Sequence, residues 1–255
     1  MFQVDEIADD IYRISVFVPE FNLSFNHFLV KDEEPLLFHA GFRRMFPIVR
    51  DAVATIIEPS KLRYVGFSHF ESDECGALNH WLEAAPNAQA VCGLVGCMVT
   101  VNDFAIREAR PLTREDVLST GKRRFRFVPT PHIPHGWDAG VMFEETGKTL
   151  FCSDLFLQTG EGPPVTDASV LDQCRTDLIA FESSPFAGAT PYTHHTEVVL
   201  KELAALRPQT LAIMHGSSYS GDGSRAIMEL ASVLEEVLGP KEAEESSVIA
   251  AARNL

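Results

Sequence analysis

The sequence predicts a layered α/β sandwich. Three observations support this: short β-branched and aromatic runs near the start, amphipathic helical spacings between later runs, and further short strands in the second half. Residues 11–18, 24–30 and 35–38 are the first strands, with the charged turn 31–34 between the last two. Over 47–57, apolar side chains at 48, 49, 52, 53, 56 and 57 make a helical stripe, closed by Pro59. A strand over 62–68 delivers the chain to His69, a helix over 76–85 stops before Pro86, and 89–92 is another strand. The stretch 93–122 is mixed. Residues 124–130 alternate charged and apolar, as a half-buried strand does. Segments 139–144 and 149–153 flank a turn and form a hairpin, followed by helical spacings at 168–181 and 194–206 and a strand at 211–214. Residues 225–238 form an amphipathic helix with 227, 230, 231, 234, 237 and 238 on one face. From about 240 the chain is Glu/Ala-rich and peripheral. With no repeat or linker, 1–255 reads as a single domain.

Composition narrows the function classes. The 255 residues carry 21 Lys+Arg against 36 Asp+Glu, a net charge of −15, which argues against nucleic acid or an anionic membrane as partner. No run approaches the ~18 apolar residues of a membrane span. The N-terminal MFQVDEIADD carries acids where a secretory signal carries positive charge. Five cysteines (75, 92, 97, 152, 174) are an odd number without a CxxC pair, as expected of buried thiols in a reducing compartment. The sequon Asn22-Leu23-Ser24 is then a coincidence, and the expected location is the cytoplasm.

The chemistry concentrates in Ser68-His69-Phe70-Glu71-Ser72-Asp73-Glu74-Cys75-Gly76, between a predicted strand and a predicted helix. Alternate residues of a tight strand-exit loop project to one side, so His69, Glu71 and Asp73 can converge. A His-x-acid-x-acid string arises by chance roughly 0.17 times in such a chain, so alone it also fits a solvated acidic loop. Other strand ends shift the balance. Asp154 leaves an apolar run, where a lone acid is otherwise a cap or turn former. His215 ends a strand with Gly216 behind it, and His135 lies in the loop 131–138 before the hairpin. Several strand ends bearing His or Asp form a metal-site pattern.

This order of residues resembles the metallo-β-lactamase fold, and within it the branch of flavodiiron proteins and their oxygen-binding di-iron relatives. The resemblance runs from Ile11 to about Pro240. It implies a four-layer αββα sandwich with the site at the sheet edges. His69, Glu71 and His135 would hold one metal, Asp73 and His215 the other, and Asp154 would bridge them. Glu71 is the distinguishing residue, since lactamase and glyoxalase members carry His there. His135 matches the branch's His followed three residues later by Asp, and lies 19 residues before Asp154. His132 fits the looser His-x-Pro pattern and is expected behind the ligands or in the pocket. Glu74 replaces a usual histidine, implying one ligand fewer, or a water, at the second metal. His39 stands where relatives often carry an Asp near the site. Tyr219 and Trp137 are within reach of the cavity, though core packing is simpler for both. Cys75 and Cys152 are expected as inert buried thiols, and His194 and His195 at the surface.

Three carboxylates and three imidazoles make a hard, oxygen-rich donor set compatible with iron, zinc or manganese, and shifted towards two iron ions. The resemblance implies a non-heme di-iron protein binding O2 or NO. It would act as an oxygen sensor or carrier, or as the catalytic part of a two-component O2/NO reductase. Flavodiiron relatives continue into an FMN-binding domain, for which this chain has no room, so a separate electron donor or a signalling partner is expected; a homodimer surface can persist. The alternative is a dinuclear metallohydrolase acting on a thioester, lactone or phosphodiester through a metal-bound water.

Overall fold

A computed structural model describes residues 2–240; the tail expected to be peripheral lies outside them. Two seven-stranded sheets face one another. The first runs in chain order: β1 (Gln3–Ala8), β2 (Ile11–Val18), β3 (Leu23–Val30), β4 (Leu36–Phe38), β5 (Tyr64–Gly66), β6 (Gln89–Gly93) and β7 (Arg110–Leu112). Tight turns make β1 to β4 antiparallel, whereas helical crossovers make β4 to β7 parallel. The second contains β8 (Val117–Ser119), β9 (Arg124–Pro129), β10 (Gly140–Glu144), β11 (Thr149–Phe151), β12 (Val165–Thr166), β13 (Thr210–Ala212) and β14 (Ser218–Ser220). Its order is β12-β14-β13-β11-β10-β9-β8.

Period-two alternation divides each strand between two cores. On β3, Phe28 and Val30 join Phe38, Phe125, Phe127 and Phe151 between the sheets. Phe25 and Leu29 face outward, onto α1 (Phe46–Ala54) and α3 (Leu78–Ala84), where Val49, Val53, Trp81 and Leu82 are buried. Three helices cover the other sheet: α6 (Leu171–Glu182), α7 (Thr196–Ala205) and α8 (Gly223–Leu238). Helix, sheet, sheet and helix are the four layers expected.

The departures are local. The helix expected over 76–85 is α3 preceded by a separate turn, α2 (Ser72–Cys75). The break follows from a tertiary bond: Ala77 N–H donates to the Gly41 carbonyl at 2.7 Å instead of extending the α2 ladder. The mixed stretch resolves into α4 (Leu94–Gly96), a wide turn Cys97–Val101, α5 (Asn102–Phe104), β7 and β8. Strands β1, β12 and β14 were not expected from the sequence. Among the described residues no helix is long and apolar enough to cross a membrane.

Candidate metal centre

Every predicted ligand leaves a sheet at the same end of the sandwich. His69 and Glu71 follow β5, Asp73 lies in α2, His135 sits between β9 and β10, Asp154 follows β11, and His215 follows β13. Hydrogen bonds tie these exits together. Gly140 N–H donates to the Ser68 carbonyl at 3.0 Å, and Met214 N–H to the Ser153 carbonyl at 3.1 Å. The Asp138 carboxylate accepts from Phe70 N–H at 3.1 Å, locking the His135 loop to the His69 loop. Gly136 turns that loop at φ +81°.

The side chains form two groups around Asp154. One ligand atom each of His69, Glu71, His135 and Asp154 lies within 4.8 Å of the other three, an arrangement able to hold a metal. His69 Nε2 stands 3.6 Å from Glu71 Oε2 and 3.5 Å from Asp154 Oδ2. His135 Nε2 stands 3.5 Å from Glu71 Oε2 and 3.3 Å from the same Asp154 Oδ2. The other oxygen, Asp154 Oδ1, is 3.1 Å from His215 Nε2, which is 3.5 Å from Asp73 Oδ2. Donors about 2.1 Å from a shared ion sit roughly 3.0–3.4 Å apart, close to these separations. The buried Nε2 atoms of His69 and His135 have no hydrogen-bond partner, which a metal would supply.

The charges are strongly coupled. Burial lowers the affinity of His69 for a proton, but Glu74, Glu71 and Asp154 outweigh it and raise its pKa to about 10. Burial likewise opposes the charge on His215, and Asp154 with Asp73 lifts it to about 10. His135 is raised against burial by Glu71 and Asp154. The facing imidazoles of His135 and His69 hold Glu71 down at about 2. Asp154 stays far below the usual carboxylate range: burial raises it, but His215, His69 and His135 prevail.

Behind the ligands lies a buried polar network. Glu74 is fully buried. Its carboxylate accepts from Ser68 N–H at 2.8 Å, Ser68 Oγ at 2.6 Å and Ser153 Oγ at 2.9 Å. Ser68 Oγ lies 3.0 Å from His69 Nδ1, so carboxylate and hydroxyl together fix that imidazole. His39 is buried with Nδ1 3.2 Å from the Asn26 carbonyl and Nε2 3.5 Å from Glu74. His27 is a buried imidazole that sequence reasoning missed; desolvation pushes it down to about 4. The signal was a polar pair, Asn26-His27, inside an otherwise apolar strand.

Three placements correct expectations. His132 is exposed at φ +66° and joins neither the cluster nor the cavity wall, because its N–H bonds Gly136 and the chain turns His135 inward instead. Tyr219 packs beside the outer core of the second sheet, away from the cavity. Trp137 is 61% exposed, because it sits at the tip of the His135 loop. His194 and His195 are exposed, and burial raises the Cys75 and Cys152 thiols above their ordinary range. A cavity of about 820 Å³ reaches the site, bounded by Glu71, Asp73, His135, Asp154 and His215 and walled by Phe25, Phe42, Phe70, Phe156 and Phe181.

The layers are those of the metallo-β-lactamase fold of flavodiiron cores. The family described as ODP family beta lactamase matches residues 23–216, and the chain belongs to it. Flavo-diiron protein FprA2 of Clostridium acetobutylicum is 22% identical over 234 residues, covering 86% of this chain and 58% of that protein. Rubredoxin-oxygen oxidoreductase of Megalodesulfovibrio gigas is 27% identical over 137 residues, 53% of this chain and 34% of that protein. This chain therefore spans less than two thirds of either relative. Among solved structures, the Giardia intestinalis flavodiiron protein superposes with TM-score 0.75 at 20% identity, covering 91% of this chain and 58% of that one. A 1–254 fragment of a putative diflavin flavoprotein from Nostoc gives TM-score 0.75 at 19% identity, covering 92% and 97%. These structures share the fold.

Proposed function

We propose that this chain holds two iron ions and binds O2 or NO beside them, as a sensor or carrier or as the catalytic part of a two-component reductase. His69, Glu71 and His135 would hold one ion, Asp73 and His215 the other, with Asp154 between. The observation that carries this reading is Asp154: one oxygen faces His69 and His135, and the other faces His215. An iron pair, when bound, supplies reversible binding and reduction of a diatomic gas. The protein's part is to set the donors in place before the metal arrives and to surround the approach with phenylalanines that admit a small apolar gas. Carboxylate-rich donors suit iron, and also manganese or zinc. The relatives' names favour this chemistry over the hydrolase alternative. Electrons would come from a separate donor, or occupancy would be read by a signalling partner. A single cytoplasmic domain, free or as a homodimer, completes the proposal.

Anaerobic purification followed by exposure to air or NO tests it. The visible spectrum of the wild type is expected to change on gas addition, and that of His69→Ala to stay flat. A wild-type spectrum indifferent to both gases contradicts the reading.

A further inference from the structure

Two of the five thiols stand against each other. Cys92 lies at the end of β6 and Cys97 opens the wide turn Cys97–Val101. The short α4 between them folds back, so that the two Sγ atoms lie 3.1 Å apart. Both residues are buried. The other thiols are placed differently: Cys75 Sγ donates to the Glu71 carbonyl at 3.1 Å, Cys152 Sγ to the Leu150 carbonyl at 3.4 Å, and burial pushes Cys174 up to about 12.

We propose that Cys92 and Cys97 are a redox modification site, closing into a reversible disulfide when the protein meets hydrogen peroxide and reopening with a low-molecular-weight thiol. The two Cβ–Sγ bonds already converge, as a disulfide requires, and about 1 Å of further approach completes an S–S bond of ~2.05 Å. The Cys92 S–H donates to Cys97 Sγ, which holds Cys97 below the ordinary thiol pKa, while the same bond and burial push Cys92 above it. Cys97 is therefore the nucleophile and Cys92 the resolving thiol. The Cys97 thiolate attacks one peroxide oxygen and the O–O bond breaks, leaving a sulfenic acid and a hydroxide that is protonated to water. Cys92 sulfur then attacks Cys97 sulfur; S–S forms, S–O breaks, and a second water departs with the Cys92 proton. Two thiols and one hydrogen peroxide thus give one disulfide and two waters, with two electrons passing from sulfur to oxygen. Two small thiols restore the pair by exchange and leave as their own disulfide.

The cover over the pair is thin. Leu94, Val95, Met98 and Val99, which flank the two thiols, are 41–72% exposed. Helix α4 has three residues, and Cys97–Val101 takes the wide π form, which is rare and found mostly at functional positions. Local opening of so short a segment admits a molecule as small as hydrogen peroxide. The pair also lies directly behind the loop that carries His135. A Cβ on Gly96 would stand 3.2 Å from Asp138 Oδ2 and 3.8 Å from Cys92 Sγ, and that same Asp138 oxygen accepts from Phe70 N–H. Closing the disulfide therefore acts on the turn that backs the His135 loop.

The test treats the isolated full chain with hydrogen peroxide, as purified and after removal of metal with a chelator. The protein is denatured, its free thiols are blocked with a light alkylating label, and thiols released by reduction are blocked with a heavy one. Peptide mapping is expected to find the heavy label on Cys92 and Cys97, and the light label on Cys75, Cys152 and Cys174, in both preparations. Addition of a low-molecular-weight thiol before denaturation should return all five to the light label. In Cys92→Ser, peroxide should leave a sulfenic acid on Cys97 that dimedone traps. Light label on all five cysteines after peroxide, or heavy label on a different pair, overturns the proposal. Heavy label that appears only with metal present makes the metal the oxidant and overturns it as well.

Discussion

Glu74→Gln probes the network that aims His69. The carboxylate accepts three hydrogen bonds, from Ser68 N–H, Ser68 Oγ and Ser153 Oγ, and has no exposed surface. A glutamine keeps one acceptor oxygen and presents an amide N–H₂ to groups that were donating, so at least one buried donor loses its partner. Such a loss costs about 1–3 kcal/mol, and the surviving bonds weaken from the charge-assisted range to the neutral one. A total of about 2–4 kcal/mol, at roughly 2–4 °C per kcal/mol for a domain of this size, lowers the thermal midpoint of the metal-free protein by about 5–15 °C. Because Ser68 links Glu74 to His69 Nδ1, affinity for the ion on that side should fall about 10–100-fold. Calorimetry on metal-free protein and competition against a chelator read the two effects separately. A midpoint within ~2 °C of wild type together with unchanged affinity would refute the reasoning.

Two further predictions concern pH and packing. His69 and His215 have folded pKa values of about 10, above their ordinary 6.5. A raised histidine stabilises fully below its unfolded pKa, so the metal-free protein should lose stability as pH climbs from about 6.5 towards 10. Metal ligation needs the imidazoles neutral, so loading at pH 7 should release at least two protons, from His69 and His215, measurable by calorimetry in buffers of different ionisation enthalpy. A rise in metal-free stability across that range, or loading without proton release, would falsify the charge coupling. Trp81→Ala removes a fully buried indole whose Nε1 donates to the Ala40 carbonyl at 2.9 Å, and should cost about 3–5 kcal/mol in denaturant unfolding. A cost below about 1 kcal/mol would contradict the close packing of that outer core.

Much of this was legible in the residues, for identifiable reasons. Ile11–Val18 and the stripe on Gly223–Leu238 announce themselves because their partners are continuous apolar layers, and periodicity reports such burial directly. Of the six proposed ligands, His69, Asp154 and His215 stood out because each ends an apolar run, where a polar group has no packing role, and Glu71 and Asp73 because they follow His69 at alternate positions. What escaped depends on tertiary partners. Strand β1 is acidic and half-exposed at a sheet edge, and β12 has two residues. The break between α2 and α3 comes from a Gly41 carbonyl some thirty-five residues upstream. His132 and His135 lie in one short loop, and only its turn decides which faces inward. The burial of His27 gave little sign, because it depends on Gly41 arriving against the ring.

The most direct measurement is the iron content of protein isolated without oxygen, for wild type beside Asp154→Ala. Close to two ions per wild-type chain, with both sites weakened when the shared carboxylate is gone, is the predicted result. A single ion per wild-type chain, held equally well without Asp154, would contradict the account.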